Sequence, residues 1–397
     1  MRAKQRKKKH VSWIDWTLLL IIVVLTIFGL IMQYSASSYD LDLVIKQGGF
    51  AVFGIFVILL MPAIPVGFYR KLSPVLFFGA LAATMLARFI GKSANGATRW
   101  IKVGPITFQP SELLKAAMIL TLAVVITKYI NEINNLPETT IVNFLKNTEG
   151  ISLIERLRMR KGYLLIFLII AISAIMVAYF SKDLGTAVII FGIGFAILFV
   201  ISPRIKYLLG IVAAGVAAIA ALVIAFPYRM GRITAWLNLE ANTSDLGYQI
   251  KQGLYAIGSG GLLGKGLGKS IQKDVIPEAH TDMIFSVVCE ELGILGGIVL
   301  IVLFILLILR LKKIYDQMND LFSKVIIIGV ATHMALQAFV NMAVMTNLIP
   351  NTGVPLPFIS YGVTSLLCLM MEIGFVMVVR HDELKKEANR MEETGKK

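Results

Sequence analysis

The sequence predicts an all-α polytopic membrane protein, and three observations predict it. Of its 397 residues, 57% are hydrophobic and only 16% charged, with a mean hydropathy of +0.78, unlike the mix of an ordinary soluble domain. The apolar residues fall in unbroken runs, where an outer-membrane barrel would alternate with period two over roughly ten residues. Each run approaches the roughly 20 residues that cross about 30 Å of hydrocarbon, and the chain holds enough of them for about ten transmembrane helices. Little remains for a soluble domain, so 1–397 reads as a single integral membrane domain.

The spans in order are 14–34, 44–65, 73–90, 111–130, 162–180, 186–202, 207–226, 282–309, 325–349 and 361–379. The first follows the basic stretch 1–13 and precedes no small-residue cleavage site, so it serves as its own anchor and not as a cleaved signal. Between spans three and four, residues 91–110 (GKSANGATRWIKVGPITFQP) are rich in glycine and polar groups. Between spans four and five, 131–161 is charged and reads as a solvated connector with a surface helix. Between spans seven and eight lies the largest extramembrane piece, 227–281, and 381–397 forms a tail. The two halves show no repeat of span pattern, which argues against a secondary transporter.

Lys and Arg number 39 against 24 acidic residues, a net charge of +15. In a soluble protein that excess would point to nucleic acid. Here about two-thirds of the basic residues fall on the side that holds 1–13, 131–161 and 381–397, the positive-inside pattern. Those segments are expected to be cytoplasmic and 227–281 extracellular. The basic excess then orients the chain and meets anionic lipid, and nucleic acid is excluded as a partner. The two cysteines, Cys289 and Cys368, both fall within spans and read neither as a disulfide nor as a metal pair.

Charged groups within spans are costly and ask for a partner or a function. Glu112 and Lys115 stand three apart at the start of span four, on one face, able to pair. Glu290 and Glu291 lie near the start of span eight, where adjacent carboxylates are expected to send no more than one into the bundle. His333, Gln337 and Asn341 form a polar stripe along span nine, suited to interhelical hydrogen bonds. The loop GSGGLLGKGLGKSIQK (258–273) invites a phosphate-loop reading. That reading fails, because Leu263 stands where the motif needs glycine and no strand precedes it. Its backbone N–H groups with Lys265, Lys269 and Lys273 still suit an anionic headgroup. Asp282 opens span eight, with Thr281 placed to cap it and His280 as a rival general base. The last connection, NTGVPLPFISYG (351–362), is stiffened by prolines and reads as a fixed lid or partner-facing turn.

Three stretches, GATRWIKVGPITFQPSELLKAA (96–117), AIGSGGLLGKGLGKSIQK with PEAHTDMIFSVVCEELG (256–293), and NTGVPLPFISYG (351–362), resemble the shape, elongation, division and sporulation (SEDS) family of FtsW, RodA and SpoVE. Pro277-Glu278-Ala279-His280 is closer to the FtsW and SpoVE branch. Met283 departs from the usual Phe, and SYGVTS (360–365) from the usual SYGGSS. The resemblance implies a bundle related to the GT-C membrane transferases, in the bacterial cytoplasmic membrane with both termini cytoplasmic. It implies a peptidoglycan glycosyltransferase that polymerises lipid II and releases undecaprenyl diphosphate. Asp282 matches the family's essential aspartate, and Glu112 and Lys115 its span-four pair. Substrate contacts are expected from these two and from Arg99, Lys265, Lys269, His280, Glu290 and Ser360. No protein metal site is expected, although a divalent cation, Mg or Mn, would be compatible with the substrate diphosphate. A class B penicillin-binding protein, a single-pass transpeptidase, is the implied partner, with spans eight and nine, joined through a basic turn at 310–324, as candidate faces. A lipid II flippase and a non-catalytic scaffold for such a partner remain as alternatives.

Overall fold

The computed structural model describes residues 13–94, 97–104, 106–134, 153–201, part of 210–224, 227–239 and 245–394. Its helices are α1 (Trp16–Ala36), α2 (Leu41–Leu60), α3 (Val66–Ile90), α4 (Pro110–Asn134), α5 (Leu153–Phe180), α6 (Leu184–Ile201), α7 (Pro227–Leu237), α8 (Asp245–Gly260), α9 (Ile284–Asp316), α10 (Leu321–Met345) and α11 (Val363–Thr394). Among the described residues seven helices are long and apolar enough to cross a membrane, and α5 and α6 hold shorter apolar stretches at Leu164–Phe180 and Leu184–Val200. Nine of the ten expected spans thus coincide with helices. The expected span 207–226 lies largely outside the described residues, as does most of the connector 131–161.

Aspartates start several helices. Asp15 accepts a hydrogen bond from Leu18 N at 2.9 Å and caps α1. Its carboxylate also meets Arg310 of α9 at 2.6 Å and Arg380 of α11 at 3.3 Å, so one acid ties three helices together. Asp320 caps α10 in the same way. Because α9 continues to Asp316, the link between α9 and α10 is only 317–320, shorter than the expected basic turn: Arg310, Lys312 and Lys313 belong to the helix.

α4 lies at the centre, packed on α3, α5, α6, α10 and α11. α2 and α3 sit at the edge and expose large apolar side chains such as Val52, Phe53 and Phe78. Between α3 and α4 the chain forms a small antiparallel sheet, β1 (Lys92–Ala94), β2 (Ala97–Val103) and β3 (Ile106–Phe108), which the sequence reading did not foresee. Ile101 pairs with Phe108 and Val103 with Ile106, with Gly104 turning the chain at φ +61.

The proline-rich segment does not face outward. Val354, Leu356, Phe358, Ile359 and Ser360 are buried, and Gln33 of α1 donates to the Ile359 carbonyl at 2.8 Å. A Cβ at Gly29 would stand 2.4 Å from the Phe358 carbonyl oxygen, so only glycine lets α1 approach. The partner-facing alternative for this turn is therefore corrected: it is an internal plug, its carbonyls held by the side chains of Gln33, Arg232, Gln337 and Asn341.

Candidate active site

Asp282 occupies the end of the segment that leads into α9. The helix itself starts at Ile284, and Met283 at the cap position makes no side-chain capping bond. Thr281 is therefore not the cap it was expected to be. Its hydroxyl donates to the Glu278 carbonyl at 2.8 Å and lies 3.2 Å from Asp282 Oδ1. Asn341 of α10 donates to the Asp282 carbonyl at 2.7 Å, and Tyr361 N donates to the His280 carbonyl at 2.9 Å. These bonds fix the backbone and leave the carboxylate half-exposed. A Cβ on Gly353 would come within 3.6 Å of Oδ2, so the proline-rich plug forms one wall. The crevice desolvates the acid and pushes its carboxyl above the ordinary aspartate value. The Thr281 hydroxyl and the Arg232 charge oppose that shift.

Beside Gly353, Asn351 and Thr352 line a cavity of about 240 Å³ whose other polar lining comes from Arg99, Lys182, Arg229 and Arg232. Leu184, Val188, Ile233 and Val340 supply apolar wall. Arg99 reaches in from β2, donates to the Ser181 and Lys182 carbonyls and pairs with Asp183 at 3.3 Å. Arg232 donates to the Asn351 carbonyl at 2.8 Å, and Arg229 to that of Ala178. Burial pulls the Arg229 guanidinium below its ordinary value; Asp183 resists, while the crowding charges of Arg232 and Arg99 add to the pull. Like charges forced together in a desolvated recess are what an anion would relieve.

Sequence reasoning found Arg99 but missed Arg229, Arg232 and Lys182. A signal was present. PYRMGRITAWL (227–237) carries a proline at its first turn and two arginines three apart, on one helix face.

The other expected residues divide into two further groups. Glu112 and Lys115 meet at 2.8 Å, both buried, as their spacing foretold. Lys115 also donates to Gln337 at 2.9 Å, and Glu112 Oε2 is buried without a hydrogen-bond partner among the described residues. The second group surrounds the glycine-rich loop. Glu290 and Glu291 are both fully buried, which corrects the expectation that one would point away. The loop folds over the start of α9 and brings donors to both faces. Glu290 accepts from Lys265 at 2.6 Å, from the Ser270 hydroxyl, and from Ile271 N and Gln272 N. Glu291 accepts from Gly268 N, Ser270 N and Ser35. Together these donors compensate the burial of the Glu290 carboxylate, which pairs with Lys265 at 2.6 Å. Lys269 is exposed on the loop. His280 packs edge-on to Tyr361, and Ser360 accepts from Leu356 N at 2.7 Å, which fastens the turn. Neither lines the cavity. Among the described residues no three His, Cys, Asp or Glu side chains converge to hold a metal ion. Cys289 and Cys368 are buried and unpaired with each other.

An α-helical membrane bundle with a partly accessible carboxylate near a recess lined by basic side chains defines the class, a polytopic integral membrane protein. The profile described as "Cell cycle protein", of FtsW, RodA and SpoVE, matches residues 15–385, and the chain belongs to that family. It is 34% identical over 382 residues to a Geobacter metallireducens protein named probable peptidoglycan glycosyltransferase FtsW, covering 94% of this chain and 96% of that one. It is 35% identical over 378 residues to stage V sporulation protein E of Bacillus subtilis, covering 92% and 96%. Among solved structures it resembles RodA of Thermus thermophilus, with a TM-score of 0.67 and 25% identity over 93% of this chain and 97% of that one. It also resembles a chain from work described as structural coordination of polymerization and crosslinking by a peptidoglycan synthase complex. There the TM-score is 0.74 and identity 26%, over 93% and 98%.

Proposed function

We propose that the protein is a peptidoglycan glycosyltransferase that polymerises lipid II into glycan strands on the outer face of the bacterial cytoplasmic membrane. The observation that carries this reading is Asp282, a partly accessible carboxylate that faces Gly353, next to the Asn351 and Thr352 wall of a recess whose lining includes four basic side chains. The Asp282 carboxylate takes the proton of the acceptor sugar hydroxyl. The freed oxygen attacks the donor's anomeric carbon as the bond to the diphosphate breaks, so an α-linked donor becomes a β-linked glycan in one inverting step. A base whose proton affinity is raised by desolvation suits this better than an ordinary aspartate. Arg99, Lys182, Arg229 and Arg232 hold the negative charge that develops on departing undecaprenyl diphosphate. A divalent cation could share that load through phosphate oxygens, since among the described residues no ligand cluster converges. Glu112 and Lys115 present a second, buried polar surface to the substrate. Lys265 and Glu290 act chiefly by holding the glycine-rich loop.

In this reading both termini are cytoplasmic, 227–281 is extracellular, and the activity serves division, elongation or sporulation. The partner is a class B penicillin-binding protein, a transpeptidase that crosslinks the strands; the likeness to a chain from a complex that coordinates polymerization and crosslinking supports this. The exposed apolar face of α9, with Ile298, Val302 and Ile305, offers its membrane anchor a surface.

Purified protein incubated with lipid II tests the reading. Polymer on a gel is expected from the wild type and none from Asp282→Asn, which keeps the size of the side chain and loses the base. Near-wild-type turnover by that variant sinks the assignment. Transport of lipid II without polymer would favour the flippase, and polymer only from an added partner's own domain the scaffold.

A further inference from the structure

A pair of titratable groups lies buried in the bundle beyond the cavity, and the chemistry above uses neither of them. Glu372 of α11 and His333 of α10 are both fully buried, and His333 Nδ1 stands 2.8 and 3.0 Å from the two Glu372 oxygens. The other ring nitrogen, Nε2, lies 2.7 Å from Gln337 Oε1. That same oxygen receives Lys115 Nζ at 2.9 Å, and Lys115 pairs with Glu112.

The orientation of the Gln337 amide is not free. Its Nε2 donates to the Pro355 carbonyl at 3.0 Å, and a carbonyl can only accept. Oε1 is therefore the acceptor for both neighbours, and His333 Nε2 must carry a hydrogen. The remaining contact, Nδ1 against a carboxylate, needs one proton between them. It sits either on the ring, giving imidazolium with carboxylate, or on the acid, giving a neutral ring with a carboxylic acid. Both forms have no net charge, and loss of that proton would set a lone pair against a buried carboxylate. With Glu112 and Lys115 also paired, the buried group balances without an outside ion. One turn further along α10, Asn341 donates to the Asp282 and Val354 carbonyls. A single helix face thus reaches the span-four pair, the proline-rich plug and the Asp282 backbone.

We propose that His333 and Glu372 form a one-proton dyad of positioning residues: they orient the Gln337 amide, which sets the Lys115 ammonium and the Pro355 carbonyl in register with Asp282. Glu372→Gln preserves the chain of contacts, because its amide can donate to Nδ1 while Nε2 keeps its hydrogen. Glu372→Ala removes the partner and frees the ring to rotate. The inference about catalysis rests on the glycosyltransferase reading; the inference about the dyad does not.

The test uses the full chain in lipid nanodiscs with ¹⁵N-labelled histidine, of which there are four, and His333→Gln to assign the signal. His333 Nε2 is expected in the protonated range and to shift in Lys115→Met, a response that reports coupling through Gln337. With lipid II, Glu372→Ala should lower kcat about tenfold or more with KM within about twofold, and Glu372→Gln should keep kcat within about threefold of the wild type. An unprotonated His333 Nε2, or wild-type kcat in Glu372→Ala, overturns the proposal. Equal losses in the Gln and Ala variants also overturn it. Failure of every form to make polymer would count against the glycosyltransferase reading, and the nitrogen spectra would still decide the dyad.

Discussion

Two stretches of α9, joined at Gly293, share one helix but not one environment. From Ile284 to Glu291 all eight residues are buried, with no side chain more than 5% exposed, although three of them are Ser286, Glu290 and Glu291. From Ile294 to Leu309 the helix is nearly all aliphatic, yet Ile294, Leu295, Ile298, Val299, Val302 and Ile305 are about half exposed. Leu300, Phe304, Leu307 and Leu311 form the buried stripe at helical spacing. In a soluble protein the polar half would face water and the apolar half the core. Here lipid takes the apolar face, so polar residues mark where protein encloses the helix on every side. Gly293 makes the change possible. At φ 69 and ψ −170 it breaks the helix, and the freed groups meet the glycine-rich loop, with Ile294 N donating to the Gly261 carbonyl at 2.9 Å.

The sharpest way to break this contrast is in the enclosed half. Glu290→Ala strands Lys265, Ser270 and two backbone donors and is expected to cost about 3 kcal/mol, read as reversible unfolding in detergent or bicelles. Next comes the joint. Gly293→Ala places a methyl 2.3 Å from the Leu262 carbonyl oxygen at a φ that side chains avoid, and should cost about 2 kcal/mol with faster proteolysis of the loop. In the lipid-facing half the effects shrink. Leu300→Ala loses packing worth about 1–2 kcal/mol, whereas Ile298→Ala stays within about 0.5 kcal/mol, because lipid replaces the lost contact. Equal losses at these two sites would show that Ile298 is covered by protein.

The smallest expected change has an informative sign. Burial holds the Asp282 carboxyl above its ordinary value, so the folded state prefers the neutral acid. The group weighs on stability above the raised value and not at all below the ordinary aspartate range, where folded and unfolded chains are both protonated. Asp282→Asn should therefore raise Tm slightly at neutral pH, with the gain fading as pH falls. Polymerisation by the wild type should fall as pH drops through the raised value. A lower Tm for the Asn variant at neutral pH would contradict the desolvated placement.

Much of the fold was legible because membrane spans are long and uninterrupted. The Glu112–Lys115 pair was legible because helix spacing alone brings them together. What was not legible depends on distant partners. Nothing in the spacing of Glu290 and Glu291 tells that a loop will supply donors to both faces. The burial of the proline-rich plug depends on Gly29 admitting it, a contact more than 300 residues apart in sequence. The arginines of α7 were passed over because a stretch without a long apolar run was read as loop.

The reach of the bonds that enclose the first half of α9 bears on the order in which the chain takes shape during synthesis. Glu290 draws on donors 18 to 25 positions earlier, and Glu291 on two that are 21 and 23 earlier. Loops of this length close quickly and at little entropic cost. The wrap needs only these near neighbours in sequence, and none of α10 or α11. The bond from Ser35, 256 positions away, joins a structure already closed. The polar half of a membrane helix thus draws its partners chiefly from its own neighbourhood in the chain.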